Sequence, residues 1–112
     1  MLMDAFYALA EPRRRKIIEI LARDGELSAT QISSRFDITP QAVSQHLKVL
    51  LDAGLLEMER RSQQRIYQIN PESIAELEHW LAHTKQLWSD RLDNLGKLLE
   101  AEKRERTLKR NW

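Results

Sequence analysis

The stretch TPQAVSQHLKVLLDAGLL, at residues 39–56, decides the fold of this chain because it carries a complete set of helix signals. The Thr39 hydroxyl suits an N-cap, and Pro40 suits the first helical position, where its missing N–H costs nothing. Gly54, about four turns later, is the residue type that takes the left-handed conformation at a helix end. We therefore predict a helix between Thr39 and Gly54.

This helix has one apolar side and one polar side. Val43, Leu47 and Leu50 recur at spacings of four and three, so they share a side and pack inward. The N-terminal half of the polar side carries Gln41, Ser44, Gln45 and Lys48. A helix that enters a DNA major groove and reads base edges needs such hydrogen-bonding side chains. An amphipathic surface helix without a DNA role has the same pattern, so this helix alone leaves both interpretations open.

A short helix and a turn precede this helix. Ser28 and Gln31 have the spacing of a capping box, and Ile32 and Phe36 are placed to face inward, which predicts a helix at residues 28–36. A short helix, a tight turn and a longer helix form the layout of a helix-turn-helix. Two packed helices with no DNA role share this layout, and the segment that follows distinguishes the two.

Two extended segments follow directly and predict a β-hairpin. The two extended runs are residues 56–61 and 65–69, in which apolar and polar residues alternate, and they lie on either side of a turn at residues 62–64. A hairpin directly after a helix-turn-helix is the arrangement of a winged helix. Arginines near the hairpin tip suit a phosphate backbone or a minor groove, and they are Arg60, Arg61 and Arg65.

Two helices are predicted before this region. Residues 4–10 form a short helix, and a second helix begins at Pro12 and ends before Gly25. The first turn of the second helix contains the basic run at residues 13–16, which works against the helix macrodipole. These cations either face phosphates or are neutralised at the surface by Glu11 and Glu19.

A long helix ends the chain. Asn70 and Pro71 begin it, and its apolar residues keep a spacing of three and four to about Glu102, over a length on the order of 45–50 Å. A domain of this size cannot cover so long an apolar stripe, so a second copy of the chain is the simplest cover. The predicted dimer interface consists of Phe6, Leu77, Leu81, Trp88, Leu92 and Leu95. The charged tail at residues 103–112 is predicted to fray.

Composition narrows the class of protein. The 112 residues suffice for one small domain, here residues 1–102. The chain has no cysteine, which excludes disulfides and thiolate metal sites. The net charge of +1 is close to neutral, so only the distribution of charge argues for nucleic acid. We see no signal peptide and no apolar run long enough to span a membrane, and therefore expect a cytoplasmic protein.

Three stretches resemble the ArsR family of winged helix-turn-helix bacterial repressors. They are ALAEPRRRKII at residues 8–18, VSQHLKVL at residues 43–50 and AGLL at residues 53–56. Residues 67–69, followed by Asn70 and Pro71, also resemble the end of the family's wing. The resemblance implies a homodimer that binds a palindromic operator near its own promoter, usually represses, and is released by a signal that the sequence does not name.

The metal-sensing members of this family need ligands that the sequence lacks. The helix at residues 28–36 has no cysteine pair, which the cysteine-type sensors carry there. His79 and His83 are four residues apart and share a helix side, but the family's site between subunits uses a wider spacing, which falls near Asp90 and Asp93. We therefore predict no metal and no cofactor. Ser62-Gln63 also departs from the Gly-Arg common in the family's wings, which shifts the expected contacts onto the three arginines.

The sequence thus predicts a mainly α winged helix-turn-helix, with a three-helical core, a two-stranded wing and a long C-terminal dimerisation helix. We expect a DNA-binding transcriptional repressor, not an enzyme, with double-stranded DNA and a second copy as partners and no membrane. The alternative is a winged-helix module that binds another protein. Backbone contacts are assigned to the wing arginines with Thr39, Pro40 and His46, although His46 also has the spacing of a residue at the edge of the core.

Overall fold

The computed structural model describes residues 2–110, with side chains described through residue 108. The last two residues of the tail predicted to fray, 111–112, lie outside the described residues. The chain divides into two compact units, one ending at Leu77 and one beginning at Glu78. The elements are α1 (Leu2–Leu9), α2 (Pro12–Asp24), β1 (Glu26–Ser28), α3 (Ala29–Ser33), α4 (Pro40–Asp52), β2 (Leu56–Arg61), β3 (Gln64–Ile69) and α5 (Pro71–Arg110).

Helix α4 begins and ends where its sequence signals indicate. The Thr39 hydroxyl accepts a hydrogen bond from the N–H of Ala42 at 3.1 Å, and Pro40 occupies the first turn. Gly54 follows the helix with a φ of +77°, a conformation that a side chain would strain. The side chains predicted to pack inward, Val43, Leu47 and Leu50, are all buried in the core.

The predicted caps of α3 and α5 are also present. The Ser28 hydroxyl accepts from the N–H of Gln31, and the Gln31 amide oxygen accepts from the N–H of Ser28, which completes a capping box. The Asn70 side-chain oxygen accepts from the N–H of Glu72 at 3.1 Å at the start of α5. Helix α3 is shorter than the predicted 28–36, since it ends at Ser33 and Phe36 follows it, half-buried against the core.

The predicted hairpin of β2 and β3 belongs to a three-stranded antiparallel sheet. Strand β1 pairs with β3, so that Leu27 lies opposite Tyr67, and β3 lies between β1 and β2. The mainly α winged-helix prediction is therefore confirmed, with one additional strand in the wing sheet. Strand β1 has only three residues, too few for a period of two to be recognised in the sequence.

Helix α5 continues to Arg110, beyond the end predicted near Glu102. Two ion pairs at i,i+4 spacing support the extension, Arg104 with Glu100 at 3.9 Å and Arg106 with Glu102 at 3.1 Å. Such pairs, with the acid N-terminal to the base, stabilise a helix even where the apolar stripe has ended. The boundary between domain and tail at residue 102 stays a prediction.

Candidate nucleic-acid interface

The polar side of α4 is exposed at every predicted position. Within the described chain, none of its four predicted base-reading side chains makes a hydrogen bond to another residue. Their donors and acceptors are therefore available to an external partner. These side chains are Gln41, Ser44, Gln45 and Lys48.

The wing has two chemically different faces. Pairing of β2 with β3 places Met58 opposite Tyr67 and Arg60 opposite Arg65, on the face that also contributes Tyr67 to the core. Side chains alternate between the faces of a strand, so Glu57 and the other odd-numbered residues of β2 belong to the opposite face. Arginines on the first face thus lie on the side of the sheet that packs on the protein.

Arg65 brings the wing next to the reading helix. A cavity of about 220 Å³ between α4 and the hairpin is lined by Ser44, Gln45 and Lys48 on one side and by Met58 and Arg65 on the other. Two separate predictions, base reading by α4 and backbone contact by the wing, therefore fall on one continuous surface.

Arg61, one of the predicted backbone contacts, is paired with acids of the wing sheet. Its guanidinium donates to both carboxylate oxygens of Glu26 on β1, with an Nη2–Oε2 distance of 3.0 Å, and to Glu59 at 3.1 Å. The hydrogen bond to Glu26, followed by that to Glu59, raises the pKa of Arg61 above its usual value. The same contact lowers the pKa of Glu26 and outweighs the opposing effect of burial. Arg61 is thus engaged within the sheet, because β1 supplies an acid that the hairpin prediction did not include.

His46 lies at the edge of the core, one of the two positions that its sequence spacing allows. Its Nδ1 atom is 3.4 Å from Nη1 of Arg14 and 4.0 Å from a carboxylate oxygen of Glu11. Arginine has no acceptor, so in the Arg14 contact Nδ1 of His46 accepts. The side chain is only 18% exposed and turned toward α2, and its contact with the DNA backbone stays a prediction.

Two cations of the basic run at residues 13–16 hold α1 in place. Arg14 is 9% exposed and donates from Nε to the carbonyl of Ala8 at 2.6 Å and from Nη2 to the carbonyl of Tyr7 at 3.2 Å. Arg15 donates to the carbonyl of Leu9 at 2.7 Å. Carbonyls in the last turn of a helix lack a partner further along it, and these cationic donors satisfy them, together with the N–H of Ala10 in the case of Tyr7. Two of the four cations in this run therefore bind carbonyls at the end of α1. This role differs from both roles predicted for the run, contact with phosphates and neutralisation by Glu11 and Glu19.

Glu11 begins α2 at the same junction. Its carboxylate accepts from the N–H of Arg14 at 3.0 Å, as the N-cap of the helix. Burial acts to raise the pKa of Glu11, but hydrogen bonds from the N–H groups of Arg14 and Arg13, together with the charge of Arg13, lower it overall.

Sequence reasoning missed a set of hydroxyls on α3. Thr30, Ser33 and Ser34 line a cavity that also includes Ser44 and Arg65. Their spacing of three and four residues places them on one side of the helix, and this spacing is the signal that would have found them.

Most side chains of the predicted dimer interface are exposed in the single chain. Exposed fractions are 40% for Phe6 on α1, and 56%, 59%, 49% and 52% for Leu81, Trp88, Leu92 and Leu95 on α5. Leu77, the sixth predicted member, is only 8% exposed and belongs to the core of the chain itself. The place of Leu77 at the interface stays a prediction.

No cluster of three or more potential metal ligands is present among the side chains that the structure describes. His79 and His83 are both exposed on α5. In the same part of the chain, no helix combines the length and the apolar character needed to cross a membrane.

A helix-turn-helix joined to an arginine-bearing hairpin defines the class of winged-helix nucleic-acid-binding proteins. Comparisons with known proteins agree. A family model described as a helix-turn-helix domain matches residues 9–59. The transcriptional repressor SdpR of Bacillus subtilis is 30% identical over 78 residues, which cover 70% of this chain and 86% of that protein. The HTH-type transcriptional regulator Rv2034 of Mycobacterium tuberculosis is 35% identical over 98 residues, which cover 88% of each chain.

Solved structures extend this similarity to the fold. An ArsR family transcriptional regulator superposes with a TM-score of 0.71 at 30% identity, over 79% of this chain and 90% of that one. A homodimeric winged helix-turn-helix DNA-binding domain from Mycobacterium bovis, described as a possible ArsR-family regulator, gives a TM-score of 0.62 at 27% identity, over 76% of this chain and 78% of that one. The chain belongs to the ArsR family of winged helix-turn-helix transcriptional regulators.

Proposed function

We propose that this protein is a homodimeric repressor that binds a palindromic operator in the bacterial cytoplasm, without a catalytic step, a metal or a cofactor. The observation that supports it best is the position of Arg65, which shares one cavity with the base-reading side chains Ser44, Gln45 and Lys48. A protein that reads bases in one groove needs a phosphate contact beside it to fix its register.

In this proposal, α4 reads the bases. Gln41, Ser44 and Gln45 lie in its first two turns, which enter the groove first when a recognition helix docks by its N-terminal end. A glutamine amide can pair with adenine through two hydrogen bonds, and the loss of such a pair typically costs about 1–3 kcal/mol. Lys48, further along the same side, reaches guanine or a phosphate.

The backbone contacts come from groups around the reading helix. Thr39 and Pro40 are exposed at the N-terminus of α4, where the macrodipole favours a phosphate. Arg60 and Arg65 on the wing carry charge that no described acid neutralises. We leave Arg61 and His46 out of this set, because Glu26 and Arg14 already engage them.

Dimerisation is proposed to use the exposed apolar side chains of α5. A contiguous apolar surface of this extent is rare on a monomer and marks an interface. The solved homodimeric relative supports a second copy as the occupant. Twofold symmetry then requires two equivalent half-sites in the operator.

Two variants test the division of roles, Gln45→Ala and Arg65→Ala, each measured on cognate and scrambled duplexes at two salt concentrations. We expect Gln45→Ala to reduce the preference for the cognate duplex by about 1–3 kcal/mol at one base position. Arg65→Ala should weaken both duplexes alike and reduce the salt slope by about one unit. If Gln45→Ala left the preference unchanged while Arg65→Ala abolished it, the wing would be the reader. Affinity for duplex DNA that is insensitive to salt would instead favour the protein-binding module.

A further inference from the structure

A second cavity adjoins the reading side of α4. It lies between α3, α4 and β3 and has a volume of about 460 Å³, within the typical range of about 300–1,000 Å³ for small-molecule sites. Buried Val43, Leu47 and Tyr67 form its floor, and half-buried Ala29 and Ile38 extend the apolar surface to the rim.

The cavity carries a single positive charge, that of Arg65. Arg65 is the only charged residue in its lining, and within the described chain no acid pairs with it. The other polar side chains are hydroxyls. Those of Thr30, Ser33 and Ser44 can donate to an anion, whereas the Ser34 hydroxyl donates to the carbonyl of Gln31 at 2.7 Å. An apolar floor, neutral donors and one guanidinium complement a molecule with an apolar body and a single negative group.

We propose that this cavity binds a small aromatic carboxylate and that the ligand and operator DNA exclude each other. The carboxylate accepts hydrogen bonds from the guanidinium of Arg65, while the aromatic body lies against Ile38 and Tyr67. A DNA phosphate can meet the same arginine but offers nothing apolar to fill the floor. The cavity is therefore better matched to an amphipathic anion than to the DNA backbone.

Mutual exclusion follows from shared residues and rests on the proposed function. Ser44 is a proposed base reader and Arg65 a proposed phosphate contact, and both line this cavity and the smaller one next to it. A ligand held between them neutralises the cation and covers the hydroxyl. Binding of the ligand thus lowers DNA affinity by direct competition, and no conformational change is needed.

Naphthalene-1-carboxylate serves as the probe, with uncharged 1-naphthylmethanol as its matched control, on the full chain without DNA. We expect the carboxylate to bind with a Kd between about 0.1 and 1 mM and to shift the methyl NMR signals of Ile38 and Val43. The alcohol should bind about tenfold more weakly, because it lacks the charge-assisted hydrogen bond. In a second measurement, the carboxylate should release a bound duplex over the same concentration range.

The variants Arg65→Met and Arg60→Met separate this site from general effects of charge. Both remove one wing cation, but only Arg65 lines the cavity. Arg65→Met should weaken carboxylate binding about tenfold, whereas Arg60→Met should leave it unchanged while still weakening DNA. Equal loss in both variants, or no methyl shift in the unmodified chain, would overturn the proposal. If the carboxylate bound as expected but the chain bound no duplex, the proposed function would fail and the exclusion with it, whereas the ligand site would stand.

Discussion

Arg60 and Arg65 lie directly opposite each other on β2 and β3, and within the described residues neither has an acidic partner. Like charges at directly opposed positions destabilise a sheet. Next to them, Arg61 lies opposite neutral Gln64 and is paired with Glu26 and Glu59. Of these two adjacent arginines on β2, Arg60 thus destabilises the wing and Arg61 stabilises it. A polyanion bound to this pair would offset the repulsion between the two arginines.

Replacement of Arg60 and of Arg61, one at a time, should separate effects on DNA binding from effects on the stability of the fold. We expect Arg60→Thr to raise the free energy of unfolding by less than about 1 kcal/mol and to reduce the salt slope of DNA binding by about one unit. Arg61→Thr should lower stability and leave the salt slope unchanged, because Glu26 and Glu59 already neutralise this cation. Urea unfolding and salt titration of duplex binding measure the two quantities. The reverse pattern would show that Arg61 leaves its partners to contact DNA.

The ion pair between Glu26 and Arg61 should make stability depend on pH. Because the hydrogen bond from Arg61 lowers the pKa of folded Glu26, this contribution is present above the unfolded value of about 4.5 and is lost as pH falls through the folded pKa. We expect Glu26→Gln to flatten the decrease of unfolding free energy below about pH 4.5. Glu57→Gln, on the same sheet, is the matched control. An identical profile in the Glu26 variant would show that the pair contributes no linkage.

Arg14 should be the cation of the basic run at residues 13–16 that matters most for stability. Its loss leaves the buried carbonyl of Ala8 without a donor, removes one of the two donors to the carbonyl of Tyr7, and removes a guanidinium that lies 5.4 Å from the ring centre of Tyr7. We expect Arg14→Met to lower the free energy of unfolding by about 2–3 kcal/mol. Arg13→Met removes the same charge from a side chain that is 55% exposed and should cost little. Equal losses in urea unfolding, at one protein concentration, would contradict this role for the buried arginine.

The elements of the fold were predictable where their signals are local. Thr39, Pro40 and Gly54 lie within or next to the helix that they delimit, and the capping box of Ser28 acts over three residues. The polar side of α4 was predictable for the same reason. Residues three and four apart in the sequence lie on the same side of a helix, so the side is defined by residues close together in the chain.

The partners that the sequence did not reveal are distant in the chain. Arg61 and Glu26 are separated by 35 positions, and Arg14 and His46 by 32. The residues next to an arginine in the sequence do not indicate whether its guanidinium contacts a carboxylate, a carbonyl or DNA. Only the pairing of β1 with β3 and the packing of α2 on α4 decide among these, and both depend on tertiary structure. The contacts that arginines make within the chain were therefore less predictable than the helix caps.

The turn of the wing offers a test of local strain. Ser62 has a φ of +59°, the only positive value at a described residue other than glycine. This conformation costs a residue with a side chain roughly 1 kcal/mol, and glycine adopts it freely. We expect Ser62→Gly to raise the free energy of unfolding by somewhat less than 1 kcal/mol, since glycine also gains entropy in the unfolded chain. Gln63→Gly, at the next position, should destabilise. A loss of stability in the Ser62 variant would show that the hydroxyl itself stabilises the turn.

The apolar side of α5 should determine the oligomeric state. Trp88 and Leu92 are one turn apart and 59% and 49% exposed, so a glutamate at each places two charges in the proposed interface. We expect Trp88→Glu with Leu92→Glu to sediment as a monomer at micromolar concentration. Its affinity for a two-half-site operator should fall much more than its affinity for a single half-site, because the symmetric contact is lost.

Leu108 provides the matched control for this double variant. It is 61% exposed on the same helix, but at about 100° per residue it faces away from Trp88. Leu108→Glu should therefore remain dimeric and bind the operator with unchanged affinity, although it too replaces an exposed apolar side chain of α5 with a charge. If Leu108→Glu dissociated the protein while the double variant stayed dimeric, copies of the chain would meet through the other side of α5.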